Sequence, residues 1–145
     1  MGMHMNQAEK TSEILKKRKL KPSYQRIRIY EYLATNFIHP TADQVFDSLK
    51  DQIPTLSKST VYSSLKSFVN AGLLREVTIE DNEVRYEFNL KNHGHFKCEK
   101  CGIIYDFGAD IDSLGVDGLD GFQIKSKDVY FKGICNKCRK TKTAG

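Results

Sequence analysis

The sequence predicts an α+β protein in which helices come first, a β-hairpin follows, and a small strand-bearing module closed by metal ends the chain. Three observations carry this. Apolar residues recur at helical spacing as far as Val69, they alternate with polar ones from Leu73 to Leu90, and the four cysteines fall as two pairs, Cys98-x-x-Cys101 and Cys135-x-x-Cys138.

Gln7 to Arg18 forms a weakly amphipathic helix anchored by Ile14 and Leu15. Ser23 can cap a second helix, running to Asn36, in which Ile27, Tyr30 and Leu33 share a face. Thr41-Ala-Asp-Gln44 has the form of a capping box, because the Thr hydroxyl can serve the Gln44 backbone N–H while the Gln side chain reaches back. Val45, Phe46 and Leu49 then define a third helix to about Asp51. Ser57 opens a fourth, which ends near Gly72, a residue suited to a left-handed cap. Leu73 to Ile79, a turn at Glu80-Asp81-Asn82, and Val84 to Leu90 read as a hairpin with Val84, Tyr86 and Phe88 inward and Arg85 and Glu87 outward. Helices followed by such a wing describe a winged helix-turn-helix, and the boundary falls between residues 1–90 and 91–145.

In the second part, His95 to Cys98, Ile103 to Asp106 and Phe122 to Ile134 read as strands. The glycine-rich stretch between Gly108 and Gly121 supports at best a short, poor helix, and the basic tail Arg139 to Lys142 is expected to fray. A two-residue spacer lets both thiolates of a turn reach one metal about 2.3 Å away, so two such turns complete a tetrahedral zinc site. Disulfides are the alternative, but nothing else in the chain looks secreted. There is no apolar run long enough to cross a bilayer and no signal-peptide pattern, so a cytoplasmic protein is expected. The opening Met1 to Met5 reads as an expression scar and is set aside.

Charge is uneven. Residues 1 to 75 hold twelve Lys and Arg against six Asp and Glu, whereas residues 76 to 145 hold eleven against twelve. The excess is densest at Lys16, Lys17, Arg18, Lys19, Lys21, Arg26 and Arg28, an electrostatic footprint for phosphate, although a solvated face gives the same composition. The fourth helix argues for double-stranded DNA. Val61, Leu65, Phe68 and Val69 lie on one side of it, while Ser59, Tyr62, Ser63 and Lys66 form a small, hydroxylic, cationic face that suits a major groove. Contacts are expected from Ser59, Thr60 and Tyr62 in the groove and from Lys66 and Arg26 on phosphate.

A second metal site follows from the histidines. His93 and His95 flank one glycine and point the same way in an extended segment, with Glu87 and Asp106 near enough in sequence to supply oxygen and His39 available from the loop before Pro40. Such mixed ligation accommodates Fe(II), Mn(II) or Zn(II). Taken singly, His39 reads as a surface-loop residue and Glu87 as a plain strand acid. A metalloenzyme is the competing class, but no spare His or Glu near these motifs suggests a general base, so no enzyme is expected.

His39-Pro-Thr-Ala-Asp43, Ser59-Thr-Val-Tyr62-Ser-Ser-Leu65, Arg85-Tyr-Glu-Phe88, His93-Gly-His95 and Cys98-Glu-Lys-Cys101-Gly together resemble the motifs of the ferric uptake regulator superfamily, from Leu20 to Cys138. The resemblance implies a homodimeric metal-sensing repressor with a winged-helix DNA-binding domain and a carboxy-terminal α/β dimerisation domain, acting on a palindromic operator. It implies structural zinc on Cys98, Cys101, Cys135 and Cys138, a regulatory Fe(II) or Mn(II) on His39, Glu87, His93, His95 and Asp106, and Lys21 at the minor groove.

Asp106 resembles the peroxide-sensing branch (PerR), whereas Glu87 resembles the iron-sensing branch (Fur). The peroxide-sensing reading is preferred, with iron-responsive and zinc-responsive (Zur) repressors as alternatives. In that reading His39 or His93 is the residue oxidised by peroxide. Asn92, Gly94 and Lys127 stand where relatives often carry further ligands, so no third metal is expected.

Overall fold

The first helix, α1 (Gln7–Lys17), is capped by Asn6, whose side chain accepts the Glu9 N–H at 2.7 Å. It stops because Lys19 turns left-handed at φ 61°, which lets the Leu20 and Lys19 N–H groups bond back to the carbonyls of Leu15 and Lys16, both at 2.9 Å. In this computed structural model residues 6–35, 39–80, 82–88 and 93–140 are described. The expected ends of the second helix at Asn36 and of the hairpin at Leu90, and the turn residue Asp81, lie outside them. The chain divides into two compact units, Met1–Asn89 and Leu90–Gly145.

In the first unit α2 (Tyr24–Thr35) begins after Ser23, whose hydroxyl accepts the Arg26 N–H at 3.3 Å. The capping box of α3 (Ala42–Leu49) is present in both directions, Gln44 N–H to Thr41 Oγ1 at 3.2 Å and Thr41 N–H to Gln44 Oε1 at 2.9 Å. Helix α4 (Lys58–Asn70) is capped by Ser57 and ends at Gly72, φ 79°, by the same pair of closing bonds that ends α1. Arg18 donates to the Ala71 carbonyl at 2.8 Å, tying the two helix ends together. Leu15, Ile29, Val45, Val61, Leu65 and Phe68 are fully buried in one apolar cluster, with Tyr30 edge-on to both Phe68 and Phe88.

The wing is β1 (Leu74–Val77) antiparallel to β2 (Arg85–Phe88), with Leu74 opposite Phe88. Here the simple alternation needs correction. Val84 precedes the strand and is exposed, while Arg85 and Glu87 are largely covered rather than solvated. The reason is local: residues 40 and 41 run along the free edge of β2, where the Tyr86 N–H bonds to the Pro40 carbonyl at 2.9 Å and Thr41 bridges Arg85. Arg85 then donates to the His39 carbonyl at 2.8 Å and to Glu80 at 2.5 Å.

The second unit is a sheet of order β4-β3-β5, with β3 (His93–Cys98) antiparallel to β4 (Ile104–Gly108) and parallel to β5 (Tyr130–Gly133). Residues 122–129 are not strand, correcting the expected run to Ile134. The β5 ladder on β3 begins only at Tyr130, where the His95 N–H bonds to the carbonyl of the preceding Val129 at 3.0 Å. No helix forms between residues 109 and 129. Conversely Arg139 and Lys140 are not frayed but belong to a short helix, α5 (Asn136–Lys140), that carries Cys138. No helix among the described residues is long and apolar enough to cross a membrane.

Candidate metal centres and DNA-facing helix

The two cysteine pairs come from different parts of the second unit and meet. Cys98 ends β3 and Cys101 follows in the turn before β4, while Cys135 directly precedes α5 and Cys138 sits in its middle. The Cys98 and Cys138 sulfurs are 3.7 Å apart, those of Cys101 and Cys135 are 3.9 Å apart, and all four lie within 4.8 Å of one another. A tetrahedron with metal–sulfur bonds of about 2.3 Å has edges of about 3.8 Å. The set fits a structural zinc.

Backbone N–H groups prepare these sulfurs for charge. Cys98 accepts from Cys101 at 3.4 Å and from Cys135 at 3.3 Å. Its thiol is pulled down to about 6, first by the Cys101 N–H. Cys135 is also lowered, first by the Tyr105 hydroxyl beside its sulfur, whereas Cys138 is pushed up to about 12, first by Cys135. Cys98 thus favours thiolate before metal arrives, Cys135 is shifted in the same direction, and binding must release the remaining protons.

Strand pairing puts the histidines on the opposite face of the same sheet. Residues two apart on a strand share a face, and directly paired residues share one too. His93 and His95 therefore lie with Asp106, the register partner of His95, while Phe96, Cys98 and Tyr105 lie on the other side. His95 Nε2 is 3.4 Å and His93 Nε2 is 3.9 Å from Asp106 Oδ1, with the imidazole centroids 4.7 Å apart. Gly94 between them leaves room for the Phe107 ring, which a methyl there would displace. In the first unit His39 Nε2 stands 3.0 Å from Glu87 Oε2, both side chains mostly buried. Each unit thus holds a partial imidazole–carboxylate set, two groups in one and three in the other.

The predicted faces of α4 are real. Val61, Leu65 and Phe68 are buried, and Ser59, Tyr62, Ser63 and Lys66 are exposed. Thr60 is half-buried and its hydroxyl is 2.9 Å from that of Ser57 in the helix cap. Lys21 is exposed, and Arg26 Nη1 donates to the Lys21 carbonyl at 3.0 Å, so the two are linked. One acid and one phenol were not anticipated. Asp43 accepts from the Tyr62 hydroxyl at 3.3 Å and lies 3.9 Å from Lys58, and Tyr105 adjoins Cys135. The Asp43 contact is a tertiary meeting of α3 and α4 with no signal in spacing. Tyr105 was in principle legible, since its strand position places it on the Cys98 face.

The sequence profile of the ferric uptake regulator family matches residues 17–132. The chain belongs to the ferric uptake regulator family. Among its relatives, the peroxide operon regulator of Bacillus subtilis is 34% identical over 142 residues, covering 95% of this chain and 97% of that protein. The peroxide-responsive repressor PerR of Staphylococcus epidermidis is 32% identical over 138 residues, covering 92% and 91%. The ferric uptake regulator of Francisella tularensis, solved with iron, is 29% identical, with a TM-score of 0.67 over 81% of this chain and 92% of that one. The α+β architecture expected from the sequence is thus that of a ferric uptake regulator.

Proposed function

We propose that this ferric uptake regulator is a homodimeric, metal-dependent repressor that binds a palindromic duplex operator and responds to peroxide. One observation carries the reading: the two partial ligand sets, His39 with Glu87 and His93 and His95 with Asp106, each too small to saturate a divalent ion alone. In this proposal all five groups close on one Fe(II) or Mn(II), and sharing the ion restricts the angle between the units. Two winged helices must meet major-groove faces at a set spacing, so restricting that angle raises the fraction of molecules able to dock.

The remaining parts have assigned roles. Cys98, Cys101, Cys135 and Cys138 hold structural zinc. Ser59, Thr60 and Tyr62 enter the major groove, Lys66 and Arg26 meet phosphate, and Lys21 reaches the minor groove. Exposed apolar side chains of the second unit, including Leu114, Val116, Phe122 and Phe131, support a face covered by a second copy. A regulator rather than an enzyme accords with the names of the relatives, and its proposed action on DNA places it in the cytoplasm.

Bound Fe(II) supplies one-electron chemistry toward hydrogen peroxide, which Mn(II) lacks. His39 and His93 are the imidazoles proposed to take the oxidation, which would remove them as ligands. The test uses a duplex selected from a random pool with Mn(II), titrated with protein loaded with Fe(II), Mn(II) or Zn(II), with and without peroxide. The expected result is binding with Fe(II) or Mn(II), loss on peroxide with Fe(II) alone, and a one-oxygen mass gain on the His39 or His93 peptide. Peroxide-insensitive binding that tracks iron, or binding with Zn(II) alone, would instead make this an iron- or zinc-responsive repressor.

A further inference from the structure

Tyr105 presents an unsolved polar group beside the cysteine cluster. Its hydroxyl oxygen is buried and makes no hydrogen bond, a costly condition for a phenol. The ring is fixed by strand register: Tyr105 pairs with Phe96 across β3 and β4, their centroids 6.5 Å apart, on the sheet face that also carries Cys98. Together with Cys135, Phe96, Ile134 and Asn136 it lines an open pocket of 280 Å³.

The sulfurs are unequally served. Cys98 accepts two backbone N–H groups at 3.4 and 3.3 Å, whereas Cys135 accepts one, from Cys138, at 3.5 Å. A metal-bound thiolate carries full negative charge and takes further donors, and groups of this kind orient a ligand and temper its reactivity. The Tyr105 hydroxyl is a buried side-chain donor beside Cys135, with which it lines the same pocket.

We propose that Tyr105 is a positioning residue of the zinc centre, its phenol O–H donating to Cys135 Sγ when that sulfur is held as a zinc thiolate. The proposal rests on the zinc assignment made above and adds a role for a residue outside the ligand set. The donated hydrogen bond withdraws charge from one sulfur, making Cys135 less nucleophilic and its bond to zinc harder to replace. Because neighbouring strand residues face opposite ways, Tyr105 serves the cysteine face while Asp106 serves the histidine face.

The test compares zinc-loaded wild type with Tyr105→Phe, which keeps the ring. Zinc content is measured first, then zinc affinity by competition with a chromogenic chelator, then alkylation by iodoacetamide resolved by peptide mass. Expected are one zinc per chain in both proteins, a zinc affinity lowered about 10-fold or more in the variant, and faster alkylation at Cys135 with the other three cysteines unchanged. Unchanged affinity and alkylation overturn the proposal and mean the hydroxyl bonds water in the cavity. Equal acceleration at all four cysteines also overturns it, since that reports loosened packing. A wild type that holds no zinc overturns the zinc assignment itself, and the proposal with it.

Discussion

Removing zinc, by chelation or by Cys135→Ser, unfolds the Leu90–Gly145 unit while the Met1–Asn89 unit keeps its helices. The effect is large because that unit has little else to hold it. Its buried apolar side chains among the described residues are Cys98, Ile111 and Cys135, two of them proposed zinc ligands, whereas its large hydrophobics at Leu114, Val116, Leu119, Phe122, Ile124 and Phe131 are exposed. Structural zinc contributes about 10–16 kcal/mol of apparent binding energy in small peptides, as large as the whole stability of a typical domain, about 5–15 kcal/mol. Limited proteolysis of the full chain should cut residues 90–145 after chelation and spare residues 6–88. A second unit that resists protease equally with and without zinc would show that its sheet stands unaided.

Phe68→Ala destabilises the first unit by about 3–5 kcal/mol, lowering its thermal midpoint by roughly 12 °C or more. Phe68 is fully buried and packs edge-on to Tyr30 in the cluster that α1, α2, α3, α4 and the wing share. Tyr62, one and a half turns earlier on the same helix, is 49% exposed. Tyr62→Ala should therefore leave the midpoint nearly unchanged, within about 0.5 kcal/mol, while weakening DNA binding. Calorimetric melts of the two variants check this, and equal destabilisation would mean that the two faces of α4 are not divided as described.

These two predictions draw on elements that were legible for a common reason: they rest on short-range rules. The Thr41–Gln44 capping box, the Ser57 cap, the Gly72 turn and the faces of α4 each involve residues within a turn or two, and local hydrogen bonding decides them. The cysteine cluster was legible because its spacing encodes coordination. What depended on distant pairing was not. The covering of Arg85 and Glu87 comes from Pro40 and Thr41 lying along β2, contacts 44 or more residues apart that alternation cannot report. Residues 122–129 have strand-like composition but belong to no strand of the sheet, and α5 is too short for a periodic signal. The meeting of His95 with Asp106 was foreseeable only as proximity, since their pairing depends on the register of β3 against β4.

In the proposed function, ligands from both units share one ion, and that sharing couples metal to DNA. His39→Ala tests it most directly, because it deletes one imidazole from the first unit and touches neither the four cysteines nor α4. Affinity for the Mn(II)-selected duplex is measured with and without Mn(II), for wild type and variant of equal zinc content. Coupling of about 1–3 kcal/mol predicts a gain of about 5- to 150-fold for wild type and none for His39→Ala. A variant that keeps the full Mn(II)-dependent gain would contradict the account.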